Sequence, residues 1–70
     1  MMTQTETLET IKRAAAKEWS NLYECEKVFG PTNHYTITAN HTACVLSNLL
    51  DSVTGESWYY SSRDDDMKPE

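Results

Sequence analysis

Residues Thr5 to Phe29, TETLETIKRAAAKEWSNLYECEKVF, decide how the rest of the chain must be arranged. At about 100° per residue, Leu8, Ile11, Ala15, Trp19, Leu22, Cys25 and Phe29 fall on one face. Glu6, Lys12, Arg13, Lys17, Glu24 and Lys27 fall mostly on the others. The pattern predicts an amphipathic helix of ~36 Å, long enough to span a small domain. Thr3 or Thr5 can cap its start, and Thr3 with Glu6 has the spacing of a capping box. Gly30-Pro31 ends it, because Gly takes the left-handed cap and Pro cannot continue the ladder.

An apolar stripe that long needs a cover, and the remaining chain offers two. Thr38 or Asn40 can cap a second helix over Ala39–Val53, with Thr42, Val45, Leu46, Leu49, Leu50 and Val53 on its apolar face and Thr54-Gly55 as its stop. The alternation in His34-Tyr35-Thr36-Ile37-Thr38 reads as a short strand, as does the aromatic run Trp58-Tyr59-Tyr60 within residues 56–62. Two such strands pair antiparallel and gain stability only when a helix packs on them. The expected fold is therefore α+β: a long N-terminal helix packed on a second helix and a two-stranded antiparallel sheet. An all-α three-helix bundle, with 56–62 as the third helix, is the alternative. Residues 1–70 read as a single small domain, and Arg63 to Glu70, RDDDMKPE, as an acidic tail frayed over 64–70.

Composition bounds the function. The 70 residues include eleven acids against six bases, for a net charge of −5 and a sequence pI near 4.8. That balance excludes direct binding to phosphate backbones or to an anionic membrane, both of which require clustered Lys and Arg. It suits a basic protein partner. The acid is also polarised: Asp51, Glu56, Asp64, Asp65, Asp66 and Glu70 face only Arg63 and Lys68 in residues 51–70, so that third holds −4 of the −5. The N-terminal residues lack an export signal's basic and apolar regions, and no apolar run reaches the roughly 18 residues of a membrane span, so the expected location is the cytoplasm.

Catalytic signatures are missing. With Gly30 and Gly55 the sole glycines, no Gly-rich phosphate cradle exists, and neither an H-E-x-x-H nor a G-x-S-x-G motif is present. Cys25, His34, His41 and Cys44 are the only soft ligands, but C-x8-H-x6-H-x2-C lacks a zinc finger's short knuckle. A small zinc-binding module through these four is the least favoured alternative. A Cys25–Cys44 disulfide is not expected in a reducing compartment. His41 lies one turn from Cys44, but no third group orients the pair for nucleophilic catalysis. No cofactor is expected.

The surface is left to act. Trp58 and Tyr59 are interface-type aromatics close to the acid, so Asp51, Glu56, Trp58, Tyr59, Asp64, Asp65 and Asp66 form the predicted partner-binding set. Size, acidity and the lack of catalytic motifs resemble, in kind, the small inhibitors that phages and mobile elements carry. Anti-CRISPR proteins are among these, and some mimic DNA by presenting carboxylates. The resemblance implies a non-enzymatic inhibitor docked on a basic surface of a host nucleic-acid-handling protein. No family motif accompanies it, so no residue role carries over. The alternative is a structural or regulatory homodimer through the first helix, with Trp19 and Tyr23 covered by a second copy.

Overall fold

The computed structural model describes residues 3–70. Two helices, α1 (Gln4–Phe29) and α2 (His34–Thr54), lie side by side, and a hairpin of β1 (Trp58–Ser61) and β2 (Asp66–Pro69) packs on them. The chain is α+β, as its patterning predicts, and the three-helix bundle is not adopted.

The start of α1 follows its sequence closely. Thr3 Oγ1 accepts from the Glu6 N–H at 3.1 Å while Glu6 Oε1 accepts from the Thr3 N–H at 3.4 Å, a complete capping box. At the other end, the Gly30 N–H donates to Glu26 O at 3.0 Å, with φ +89°. A side chain there would strain the backbone.

The expected strand over residues 34–38 is instead the first turn of α2. The β-prone run HYTIT is overruled by its neighbours. Asn33 Oδ1 accepts from the Tyr35 N–H at 2.9 Å, a cap five residues before the nearest position expected for one. Thr36, buried on the helix's inner face, donates its hydroxyl to Gly30 O at 2.7 Å and ties the new helix to the end of α1. Asn33→Ala removes the cap and should cost about 1 kcal/mol, read as a lowered denaturation midpoint. Thr36→Val keeps the shape but leaves Gly30 O without that donor, at a similar ~1 kcal/mol.

The inner face of α2 also differs from expectation. Thr36, Ala39, Ala43 and Leu50 are buried, with Leu46 packed against the core. Val45, Leu49 and Val53, expected to face inward, are exposed. Small residues line this seam, so the two helices approach closely and large side chains are displaced to the flank. Gly55 ends α2 in the left-handed conformation (φ +73°, ψ +12°), its N–H bonded to Asp51 O at 2.8 Å.

Residues 64–70 are not a frayed tail: most of them form β2. Trp58 pairs with Pro69, Tyr59 with Lys68, Tyr60 with Met67 and Ser61 with Asp66. The partner expected for β1 was residues 34–38; the actual partner is the chain's acidic end. Alternation then places Trp58, Tyr60 and Met67 toward the helices. Met67, 1% exposed, joins Ala15, Ala16 and Leu50 in the core, with Leu8, Ile11, Trp19, Leu46, Trp58 and Tyr60 around them.

Candidate functional site

The hairpin divides the predicted partner-binding residues into two groups. Asp51, Glu56 and Trp58 lie where α2 gives way to β1. Asp64, Asp65 and Asp66 lie at the turn, and Tyr59 projects from the outer strand face between them.

In the first group, Asp51 Oδ1 accepts the Trp58 N–H at 3.1 Å, and Trp58 Nε1–H donates to Thr54 Oγ1 at 2.8 Å. These bonds fix how β1 leaves α2. Asp51 and Trp58 are thus spent on the fold, while Glu56 is exposed. Glu56 and Trp58 edge an open cleft of about 570 Å³ that Leu8 and Val53 also line.

In the second group each carboxylate has an intramolecular partner. Asp64 lies 3.7 Å from Lys68 Nζ, Asp66 lies 3.5 Å from Lys12 Nζ, and Asp65 accepts from the Tyr60 hydroxyl. Asp65 carries the turn at φ +49°, a conformation that Asp and Asn tolerate better than other side chains. Asp66 Oδ1 also accepts the Met67 N–H at 2.9 Å. The ion pairs are solvent-accessible and each is worth at most about 1 kcal/mol. Their consequence is geometric: three adjacent acids are held on a closed turn with Asp64 still half exposed. Lys12 and Lys68, which do the holding, were not singled out by sequence reasoning. Nothing in the linear sequence brings Lys12 to residue 66.

Outside the hairpin, Tyr59 is exposed opposite Lys68, its cross-strand neighbour. The Trp19–Tyr23 edge lies beneath Tyr60. Trp19 stacks on Tyr60 with ring centroids 6.5 Å apart and planes 13° apart, Tyr23 lies 5.7 Å from Tyr60, and Trp19 Nε1–H donates to Ser47 Oγ at 2.7 Å. Trp19 is therefore satisfied within the chain, whereas Tyr23 is still about half exposed.

Loss of hydration, followed by the bond to Asp65 and the charge on it, pushes the Tyr60 phenol above its ordinary pKa of 10.0. The folded state favours the neutral phenol, so its contribution to stability is intact below pH 10 and is lost as pH rises through the raised folded value. In an alkaline absorbance titration, Asp65→Asn should move the Tyr60 transition back toward 10.0. An unmoved transition would mean that Asp65 does not set it.

The soft ligands are dispersed. Among the described residues, no three His, Cys, Asp or Glu side chains gather as metal ligands would. Cys25 and His34 share a shallow groove between the helices, away from His41 and Cys44, and both thiols are free. No helix among the described residues is long and apolar enough to cross a membrane. No known protein family, curated protein or solved structure matches the chain.

Proposed function

We propose that this protein is a non-enzymatic interaction module whose acidic hairpin docks on a basic protein surface. One observation carries the reading: Asp64, Asp65 and Asp66 stand at the turn end of an ordered hairpin whose β1 carries exposed Tyr59, not on a loose tail. A preorganised acidic turn loses little conformational entropy on binding, and a neighbouring tyrosine supplies apolar contact at low entropic cost. Asp64 is paired with Lys68 at the surface, where a stronger basic site can replace it, while Asp66 is held by the more covered Lys12 and Asp65 by the Tyr60 hydroxyl. A nucleic-acid-handling protein is the partner class with the matching positive surface, so the proposed activity is inhibition of such a host machine, in the manner of anti-CRISPR proteins.

The test compares the chain and its Asp64→Asn/Asp65→Asn/Asp66→Asn variant as immobilised baits in lysate of the source cell. Asn accepts the backbone at residue 65, and each lost ion pair costs at most about 1 kcal/mol, so the variant should keep an unaltered circular dichroism spectrum, which is checked first. A nucleic-acid-handling protein should bind the unaltered chain, elute as salt rises to about 0.5 M, and be lost with the variant. Identical proteins retained by both baits would refute the electrostatic reading.

A further inference from the structure

The hairpin is a two-stranded sheet, so each strand has one side with no neighbouring strand. Such an edge is a template on which another strand can pair, and the aromatic run of β1 has the composition that favours pairing. Which main-chain groups point outward follows from one bond. The Glu70 N–H donates to Ser57 O at 2.9 Å, so residues 57 and 70 form a hydrogen-bonded pair. Antiparallel ladders alternate, and the register then makes 59 with 68 and 61 with 66 hydrogen-bonded pairs as well. Trp58 and Tyr60 on β1, and Met67 and Pro69 on β2, therefore turn their main-chain groups outward. Most of these positions offer no donor. Asp51 Oδ1, from α2, accepts the Trp58 N–H at 3.1 Å, and Asp66 Oδ1 accepts the Met67 N–H at 2.9 Å. Pro69 has no N–H to offer. Among the described residues, Tyr60 holds the only outward N–H of the hairpin without a partner.

We infer that Asp51, Asp66 and Pro69 close both edges of the hairpin to strand addition. An incoming strand needs donors and acceptors in alternation along the edge it joins. Along β2 it meets no free donor, and along β1 it meets one. Its own carbonyl oxygens would stand against the Asp51 and Asp66 carboxylates, where negative charge repels them, or against the prolyl ring. Placement supports the role. Proline is tolerated in a sheet only where its missing N–H faces away from the ladder, and Pro69 occupies such a position. Had it stood at residue 68, a bond to β1 would be lost. The two carboxylates reach their amides from different elements, one from α2 and one from the residue preceding Met67, so no single local motif accounts for both. The closure does not depend on the acidic turn's having a partner. It does limit how any partner engages the hairpin: through side chains such as Asp64 and Tyr59, not by extending the sheet.

Asp66→Ala/Pro69→Val on the full chain tests the inference, because it frees both outward donors of β2 and leaves Met67 in the core. Thioflavin T fluorescence and sedimentation velocity at about 0.1 mM read strand-paired assembly. The unaltered chain should give no dye fluorescence, whereas the variant should form large assemblies with fluorescence raised roughly tenfold or more. Ser61→Val/Asp64→Ala is the control. It makes the same change in charge and also adds a valine to the hairpin, but at a position whose N–H already faces β2, so it should not assemble. Asp66→Asn alone keeps an oxygen that accepts the Met67 N–H and should not assemble either. Amide exchange on the unaltered chain decides the matter if the double variant fails to fold: the Trp58 and Met67 amides should exchange roughly tenfold more slowly than the Tyr60 amide. Equal exchange at the three amides would overturn the inference. So would a folded Asp66→Ala/Pro69→Val protein that does not assemble, or a control that assembles to the same extent.

Discussion

Met67→Ala should destabilise the protein by about 2–4 kcal/mol, the usual cost of emptying a fully buried methionine site. For 70 residues the whole folding free energy is roughly 4–10 kcal/mol, so this one truncation removes a large share of it. The size of the effect follows from how little else the core contains. Its buried apolar residues are Ala15, Ala16, Leu22, Ala39, Ala43, Leu50 and Met67, and four of the seven are alanines. Among them only Leu50 and Met67 are large and fully enclosed. A urea titration should show a markedly lower midpoint. A frayed terminus would give no change, which makes the measurement a direct test of β2 as part of the fold.

Trp19→Ala should be comparably damaging, at about 3 kcal/mol, the low end for such truncations because the ring is only part-buried. Three contacts disappear together: the stack on Tyr60, the packing against Tyr23 and the indole hydrogen bond to Ser47. Trp19→Phe separates them. It keeps an aromatic ring against Tyr60 and gives up the hydrogen bond, so roughly 1 kcal/mol of the loss should remain. Thermal or chemical unfolding of the two variants checks the division. A Trp19→Ala protein as stable as the unaltered chain would mean that this ring is not part of the intramolecular core.

Both sites show where sequence reading succeeds and where it stops. The face of α1 from Leu8 to Leu22, its capping box, its Gly30 end and the Gly55 end of α2 were legible, because each is set by residues within one or two turns. Phe29, expected on that face, is instead exposed, and Ala16, not expected there, is buried. The β1 strand was legible from its aromatics. The run HYTIT was misleading because its composition favours a strand, while the deciding features lie outside it: the Asn33 cap and the bond from Thr36 to Gly30 O. A signal was present in the spacing Thr36, Ala39, Ala43, Leu46, Leu50, which continues a helical face back to the cap. It was obscured by larger apolar residues, and the tight seam prefers the small ones. The β2 strand had almost no local signal. DMKP offers one apolar side chain among charged residues and a proline, and its place is fixed by pairing with β1 and by contact with α1. For the candidate site, the acids and Tyr59 were recognisable individually. That the acids share an ordered turn, pinned by Lys12 and Lys68, depends on β2 and so could not be read locally.

The position of Met67 also constrains the chain's synthesis. A ribosome that has delivered both helices has produced a helical pair whose alanine-lined side, facing the future hairpin, is still open to water. The side chain that closes it lies 52 residues beyond Ala15 in the chain, counting from 15 to 67, and both are core members. Until residue 67 clears the exit tunnel, the nascent protein has secondary structure without a sealed interior. Closure is then a single late event, and premature termination in the hairpin before Met67 yields a species that cannot complete its core.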